Sequence, residues 1–181
     1  MALPRAIDAI WSDMESVRAN VLREVDGLSQ AQVDWRPAES EWSIGEVLSH
    51  LTGAETQTGK LTTKLTREAD AAGALAPYPA DLTAFVPVPA ASMDGMAAPP
   101  AVQPEPSAPV ARLLADMQAV RARSRQSMEK IAGLDPRPLR FKHFALGELN
   151  LAQWWMLQAR HDTAHLEQIR AVKAAPGFPR A

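Results

Sequence analysis

His161 and His165 stand four residues apart in a segment of strong helical periodicity. Their imidazoles therefore project from one side of a helix, one turn apart, where both can reach a single ion. His50 lies beside Val47, Leu51 and Ala54, at the edge of another apolar helical face, and from there it can complete a three-nitrogen site between two helices. Three neutral imidazoles, with further coordination open to water or substrate, describe a catalytic metal site rather than a closed structural one. The chain has no cysteine, which removes thiolate ligands, disulfides and a thiol nucleophile together. Zinc or nickel suits such a nitrogen site, with iron and manganese left open. The plainer reading of the same residues is a set of hydrogen-bonded core histidines. The fourth histidine, His143, sits in Phe141-Lys142-His143-Phe144 and reads as a loop residue that packs or hydrogen-bonds locally.

Groups that orient the imidazoles are expected one turn to either side of the pair, which makes Gln158 and Gln168 the first candidates. Glu46, one turn before His50, and Glu55 are the candidate bases or hydrogen-bond acceptors. Each also has an ordinary role available, Glu46 as a helix-capping residue and Glu55 as a solvated helix charge.

Four long helices must carry these residues. The first shows Ile7, Ile10, Trp11, Met14, Val17, Val21, Val25 and Leu28 as an apolar stripe, with Gly27 as its stop. Ser29 with Gln32, Ser43 with Glu46, and Asn150 with Gln153 have the spacing of capping boxes. Each is flanked by an apolar pair suited to a staple: Leu28 and Val33, Trp42 and Val47, Leu149 and Trp154. These signals start a second long helix at Ile44, running to about Asp70, and a fourth at Leu151, running to about Lys173 before Pro176. A third runs from about Val110 to Ala132. The inward stripe of the last helix is expected to be Leu151, Trp154, Gln158, His161, His165, Gln168 and Val172, apolar at its ends and polar in its middle. Trp155 falls off that stripe, and Arg121, Arg123 and Arg125 read as solvated surface. No strand alternation of useful length and no internal repeat is evident.

Residues 73–109 differ in kind, holding nine of the fifteen prolines and no lysine or arginine. The segment reads either as a surface crossover or as a lid, with Tyr78, Phe85 and Met93 facing substrate. Geometry favours a crossover: a helix as long as the second spans roughly 40 Å at 1.5 Å per residue, so a parallel third helix needs a long return path.

Two stretches carry a resemblance. Trp42-Ser43-Ile44-Gly45-Glu46-Val47-Leu48-Ser49-His50-Leu51 and His161-Asp162-Thr163-Ala164-His165-Leu166-Glu167-Gln168-Ile169 are similar to the signature segments of the DinB-like superfamily. The Leu28-Ser29 to Trp35-Arg36-Pro37 region and Gly147-Glu148-Leu149-Asn150-Leu151 resemble it too, so the likeness follows the whole chain except its Pro-rich middle. The resemblance implies an all-α, up-down-down-up four-helix bundle over residues 1–181, with a metal triad at His50, His161 and His165. It also implies thiol-dependent transfer or isomerisation, with a low-molecular-weight thiol as cosubstrate, or metal-dependent hydrolysis; many members have no established activity.

Composition bounds the partners. A formal net charge of −2 gives no general attraction to nucleic acid or anionic membrane. No apolar run approaches membrane-spanning length and the N-terminus lacks a secretion signal, so the expected compartment is the cytoplasm. A small-molecule substrate is the expected partner, and exposed helix faces leave a homodimer open. The competing reading is a non-catalytic metal-binding or stress-related bundle.

Overall fold

In the computed structural model, which describes residues 2–90 and 97–180, the chain opens with α1 at Arg5–Val25 and the short α2 at Gln30–Asp34. Helices α3 at Ile44–Ala71, α4 at Val110–Lys130 and α5 at Leu151–Ala174 follow. Local chemistry sets these boundaries. Ser29, Ser43 and Asn150 each accept from the backbone amide three residues on, while Gln32, Glu46 and Gln153 return a bond to the cap's own amide. Such reciprocal boxes satisfy donors that a helix start otherwise leaves orphaned. Gly27, at φ 73°, ends the first helix in a conformation that other residues adopt only at a cost.

The four long helices form a bundle with two apolar clusters. One gathers Ile7, Ile10 and Met14 of α1, Leu61 and Leu65 of α3, Met128 of α4, and Leu151 and Trp155 of α5. The other gathers Val21 and Val25, Val47, Leu48 and Leu51, Leu113 and Met117, and Leu166 and Ile169. Early residues of α1 and α5 thus share an end with late residues of α3 and α4, which makes the order up-down-down-up. Helix α1 packs mainly on α5 and α3 on α4, with α3 also meeting α5. Full burial of a Leu, Ile or Met side chain contributes about 1.5–3 kcal/mol, and Ile7, Met14, Leu48, Leu51, Met117 and Ile169 are all at most 1% exposed. At the start of α3, a Cβ on Gly45 would lie 3.0 Å from Val33 Cγ1, so glycine permits the close seating of α2.

Three sequence expectations need correction. The buried side of α5 is Leu151, Trp155, Gln158, Asp162, Leu166 and Ile169. It lies one position round from the expected stripe, with Trp155 in the core and Trp154 only half-buried. Arg121 is not solvated; it is 6% exposed. There is also a hairpin, β1 at Arg140–His143 and β2 at Gly147–Asn150, pairing Phe141 with Leu149 and His143 with Gly147. Four-residue strands whose exposed positions come first, three in β1 and two in β2, leave no alternation to read. The hairpin delivers Asn150 directly as the cap of α5.

The Pro-rich segment crosses over the bundle and is tied to it at several points. Tyr78 donates its backbone amide to Gly133, Gln153 Nε2 donates to the Pro87 carbonyl, and Glu105 N donates to Ser49 Oγ. Phe85 is buried in the first apolar cluster, against which Tyr78 also packs. Neither residue therefore faces the histidines; Met93 lies outside the described residues. A short 3-10 turn at Pro100–Val102 lies against α3 instead.

Candidate metal centre

Helix α3 supplies His50 and helix α5 supplies His161 and His165, one turn apart. Their ring nitrogens converge: His161 Nε2 lies 3.0 Å from His50 Nε2 and 3.2 Å from His165 Nε2. One ligand atom from each of the three lies within 4.8 Å of the others.

The outer nitrogens show which way the protons point. His50 Nδ1 is 2.7 Å from the Val102 carbonyl, which can only accept, so this nitrogen carries the proton and Nε2 presents a lone pair. His165 Nδ1 is 2.7 Å from Gln168 Oε1 and is oriented in the same sense. Burial lowers all three pKa values. It brings His50 to about 4 against the opposing Val102 bond. His161 falls to about 2, as burial is reinforced by His165, His50 and Arg18. For His165, burial outweighs the Gln168 bond and Asp162. All three rings are thus neutral near pH 7.

Proton counting then fails to close the trio. His161 Nε2 has at most one proton to offer two facing lone pairs, and His161 Nδ1 is buried without a partner. A cation at the convergence point would take all three lone pairs at once. Two nitrogens sharing one ion at about 2.1 Å lie roughly 3.0–3.4 Å apart, and the observed 3.0 and 3.2 Å fall within that span. The donor set therefore fits a divalent metal.

Trp42 walls the site, its ring 6.1 Å from that of His165 at 14° and 4.9 Å from that of His50. Sequence reasoning gave it only a staple role. The Val102 carbonyl was not readable either, because a backbone group in a Pro-rich crossover leaves no side-chain signal. Gln168 meets its expected position beside His165. Gln158 does not reach the histidines through a hydrogen bond; it donates to Thr58 Oγ1 at 2.8 Å, and its Oε1 is buried unpartnered. His143 stays local, accepting at Nδ1 from Ala145 N and Leu146 N.

The two candidate bases are both engaged elsewhere. Glu46 closes its capping box and pairs with Arg36. Glu55, far from being a solvated charge, is 1% exposed within a four-charge cluster that takes one residue from each long helix. Arg18 Nε and Nη2 reach Asp162 and Glu55 at 2.9 Å each. Arg121 Nε reaches Glu55 at 2.9 Å, and its Nη2 reaches Asp162 at 3.3 Å. The two buried guanidiniums and two buried carboxylates balance in charge, which is how charges persist in a core. The exposed Glu15 also reaches Arg121 Nη1 at 3.3 Å, and Arg18 Nη1 has no partner. Arg18 stays ionised because Asp162 and Glu55 together outweigh the effect of burial.

Comparison with known proteins agrees with this architecture. A family model described as the DinB superfamily matches residues 13–169. A crystal structure described as TT2238, a four-helix bundle protein, aligns with a TM-score of 0.63 at 20% identity, covering 92% of this chain and 99% of that one. Comparison with curated proteins gives no match. Among the described residues, no helix is long and apolar enough to cross a membrane.

Proposed function

The chain belongs to the DinB superfamily, and from that premise we propose that it is a metal-dependent enzyme acting on a small molecule through a divalent ion held by His50, His161 and His165. The observation that carries this reading is the convergence of three neutral imidazole nitrogens whose protons cannot satisfy one another. Zinc or nickel suits the all-nitrogen donor set. A divalent ion so held, with coordination left open, lowers the pKa of a water or thiol enough to supply a nucleophile near neutral pH.

The chain's own residues have definable tasks. The Val102 carbonyl and Gln168 hold His50 and His165 in the tautomer that turns Nε2 inward. Trp42 covers one side of the imidazoles and limits water there. The chain offers no cysteine, so a thiol nucleophile must arrive as a cosubstrate of low molecular weight. The reaction is then either thiol S-transfer or hydrolysis, and the dependence of rate on added thiol separates them.

One observation favours a second reading, a non-catalytic metal-binding or stress-related bundle. Glu46 and Glu55, the two acids nominated as bases, are both committed to other partners. The test is a screen of zinc- and nickel-loaded protein against small thiol acceptors and esters, with His161→Ala alongside. The enzyme reading expects saturable turnover that disappears in the variant. Equal turnover by metal-free protein contradicts it, and no turnover on any substrate leaves the binding role as the better account.

A further inference from the structure

A groove of about 400 Å³ runs between α3 and α4, and none of the three histidines lines it. Its lining includes four cationic side chains, Lys60, Lys64 and Arg67 of α3 and Arg123 of α4. Ser124 and Ser127 of α4 also line it. The volume is within the range of small-molecule sites, roughly 300–1,000 Å³.

Charge makes the groove distinctive. The chain as a whole carries a formal −2, yet the only carboxylate lining this groove is Glu55. Both Glu55 oxygens already accept from Arg18 and Arg121. Its charge is spent inside the core, whereas none of the four groove cations forms an ion pair among the described residues. Lys64 is held over the Phe141 ring, 4.7 Å from its centroid, which fixes a cation at the hairpin end. Cations gathered along a walled cleft focus the local potential and raise the concentration of an anionic ligand.

Shape adds a second, independent feature. Gly59 sits mid-helix on the groove wall, and a Cβ built there meets nothing within 4 Å. Packing therefore does not demand glycine at this position, and a side chain placed there would extend into the open space of the groove. Beside Gly59, Ser124 and Ser127 a smaller recess continues inward toward Met128 and Trp155.

We propose that the α3–α4 groove is a binding site for a small polyanion bearing phosphate or carboxylate groups, held by Lys60, Lys64, Arg67 and Arg123 with Ser124 and Ser127 as hydrogen-bond donors. The site is separate from the histidine centre and does not depend on the activity proposed for it.

Calorimetric titration of the full chain with pyrophosphate and with citrate tests this, at low and at physiological salt. The expected result is saturable one-site binding of at least one probe. Its dissociation constant should rise at least tenfold in a combined Lys60→Gln, Arg67→Gln, Arg123→Gln variant, and binding should vanish in Gly59→Phe, whose ring would fill the cleft. Circular dichroism of both variants establishes that they are folded. Preference for pyrophosphate assigns a phosphate ligand and preference for citrate a polycarboxylate; either supports the site. His161→Ala should bind the probe as wild type does. Lack of saturable binding by wild type overturns the proposal, as does unchanged affinity in the folded groove variants. Loss of binding in His161→Ala overturns it too, by assigning the anion to the histidine centre.

Discussion

Two polar clusters sit side by side in this bundle and solve the problem of burial in opposite ways. Asp162 and its neighbour His161 belong one to each. In the charge cluster, Arg18, Glu55, Arg121 and Asp162 come from four different helices and neutralise one another through contacts of 2.9–3.3 Å. In the histidine cluster, three neutral rings point the same kind of atom at one another and leave His161 Nδ1 unpartnered. In the first, every carboxylate oxygen and every guanidinium nitrogen but Arg18 Nη1 finds a protein partner of opposite charge. In the second, like atoms face one another and protein atoms alone do not satisfy them. Oppositely charged buried groups that pair with one another specify how helices meet, while three like lone pairs turned toward one point call for a cation between them. The charge cluster fixes the rotation and height of α5, and His161, one residue from Asp162, inherits that precision.

Removing a member of the first cluster and a support of the second should therefore have opposite consequences. Asp162→Ala leaves two buried guanidiniums to share Glu55 and should cost about 3–5 kcal/mol in urea unfolding. A loss below 1 kcal/mol would mean that the cluster is not what holds α5 in place. Gln168→Leu removes the partner of His165 Nδ1 and should weaken zinc binding about 10–100-fold, with little change in the stability of metal-free protein. Undiminished affinity in a competition assay would show that His165 is oriented without it.

Acid should distinguish the clusters as well. His50, His161 and His165 have folded pKa values below the ordinary 6.5 of an unfolded chain. As pH falls below 6.5, the unfolded state takes up protons that the folded state refuses, so folding weakens. For His50 this loss runs from 6.5 down to about 4. Metal-free wild type should thus lose thermal stability between pH 7 and 5 more steeply than metal-free His50→Ala. Identical slopes would remove the histidines from the account. The smallest expected effect is on stability at neutral pH. His161→Ala in metal-free protein should lie within about 1 kcal/mol of wild type, because lost packing is offset by relief of an unsatisfied buried nitrogen.

How far the sequence reveals these two regions differs instructively. The helix starts were legible because capping boxes are local, and each of the three forms as its spacing implies. The four-helix order was legible from the length of the Pro-rich crossover and from the family resemblance. The histidines could be nominated because histidine is rare here and its i, i+4 spacing on a helix has few uses. The charge cluster was missed, although it leaves a trace. Arg18 stands between Met14 and Val21, Glu55 between Leu51 and Thr58, Arg121 between Met117 and Met128, and Asp162 between Gln158 and Leu166. Each interrupts a buried stripe at a helical interval. Seen one helix at a time, such a charge passes for an edge residue, and only helix packing shows that the four share a level. The same one-residue ambiguity turned the expected face of α5 toward Trp154 rather than Trp155. A backbone partner such as Val102 leaves no trace of any kind, since any residue could supply that carbonyl.

The central claim is that the histidine cluster is completed by a metal ion. Its most direct test is elemental analysis of protein purified without a metal-binding tag, after incubation with zinc or nickel and gel filtration, beside His50→Ala and His161→Ala. About one ion per chain in wild type, and essentially none in either folded variant, is the predicted result. Wild type that retains no metal, or variants that retain as much as wild type, would contradict the account.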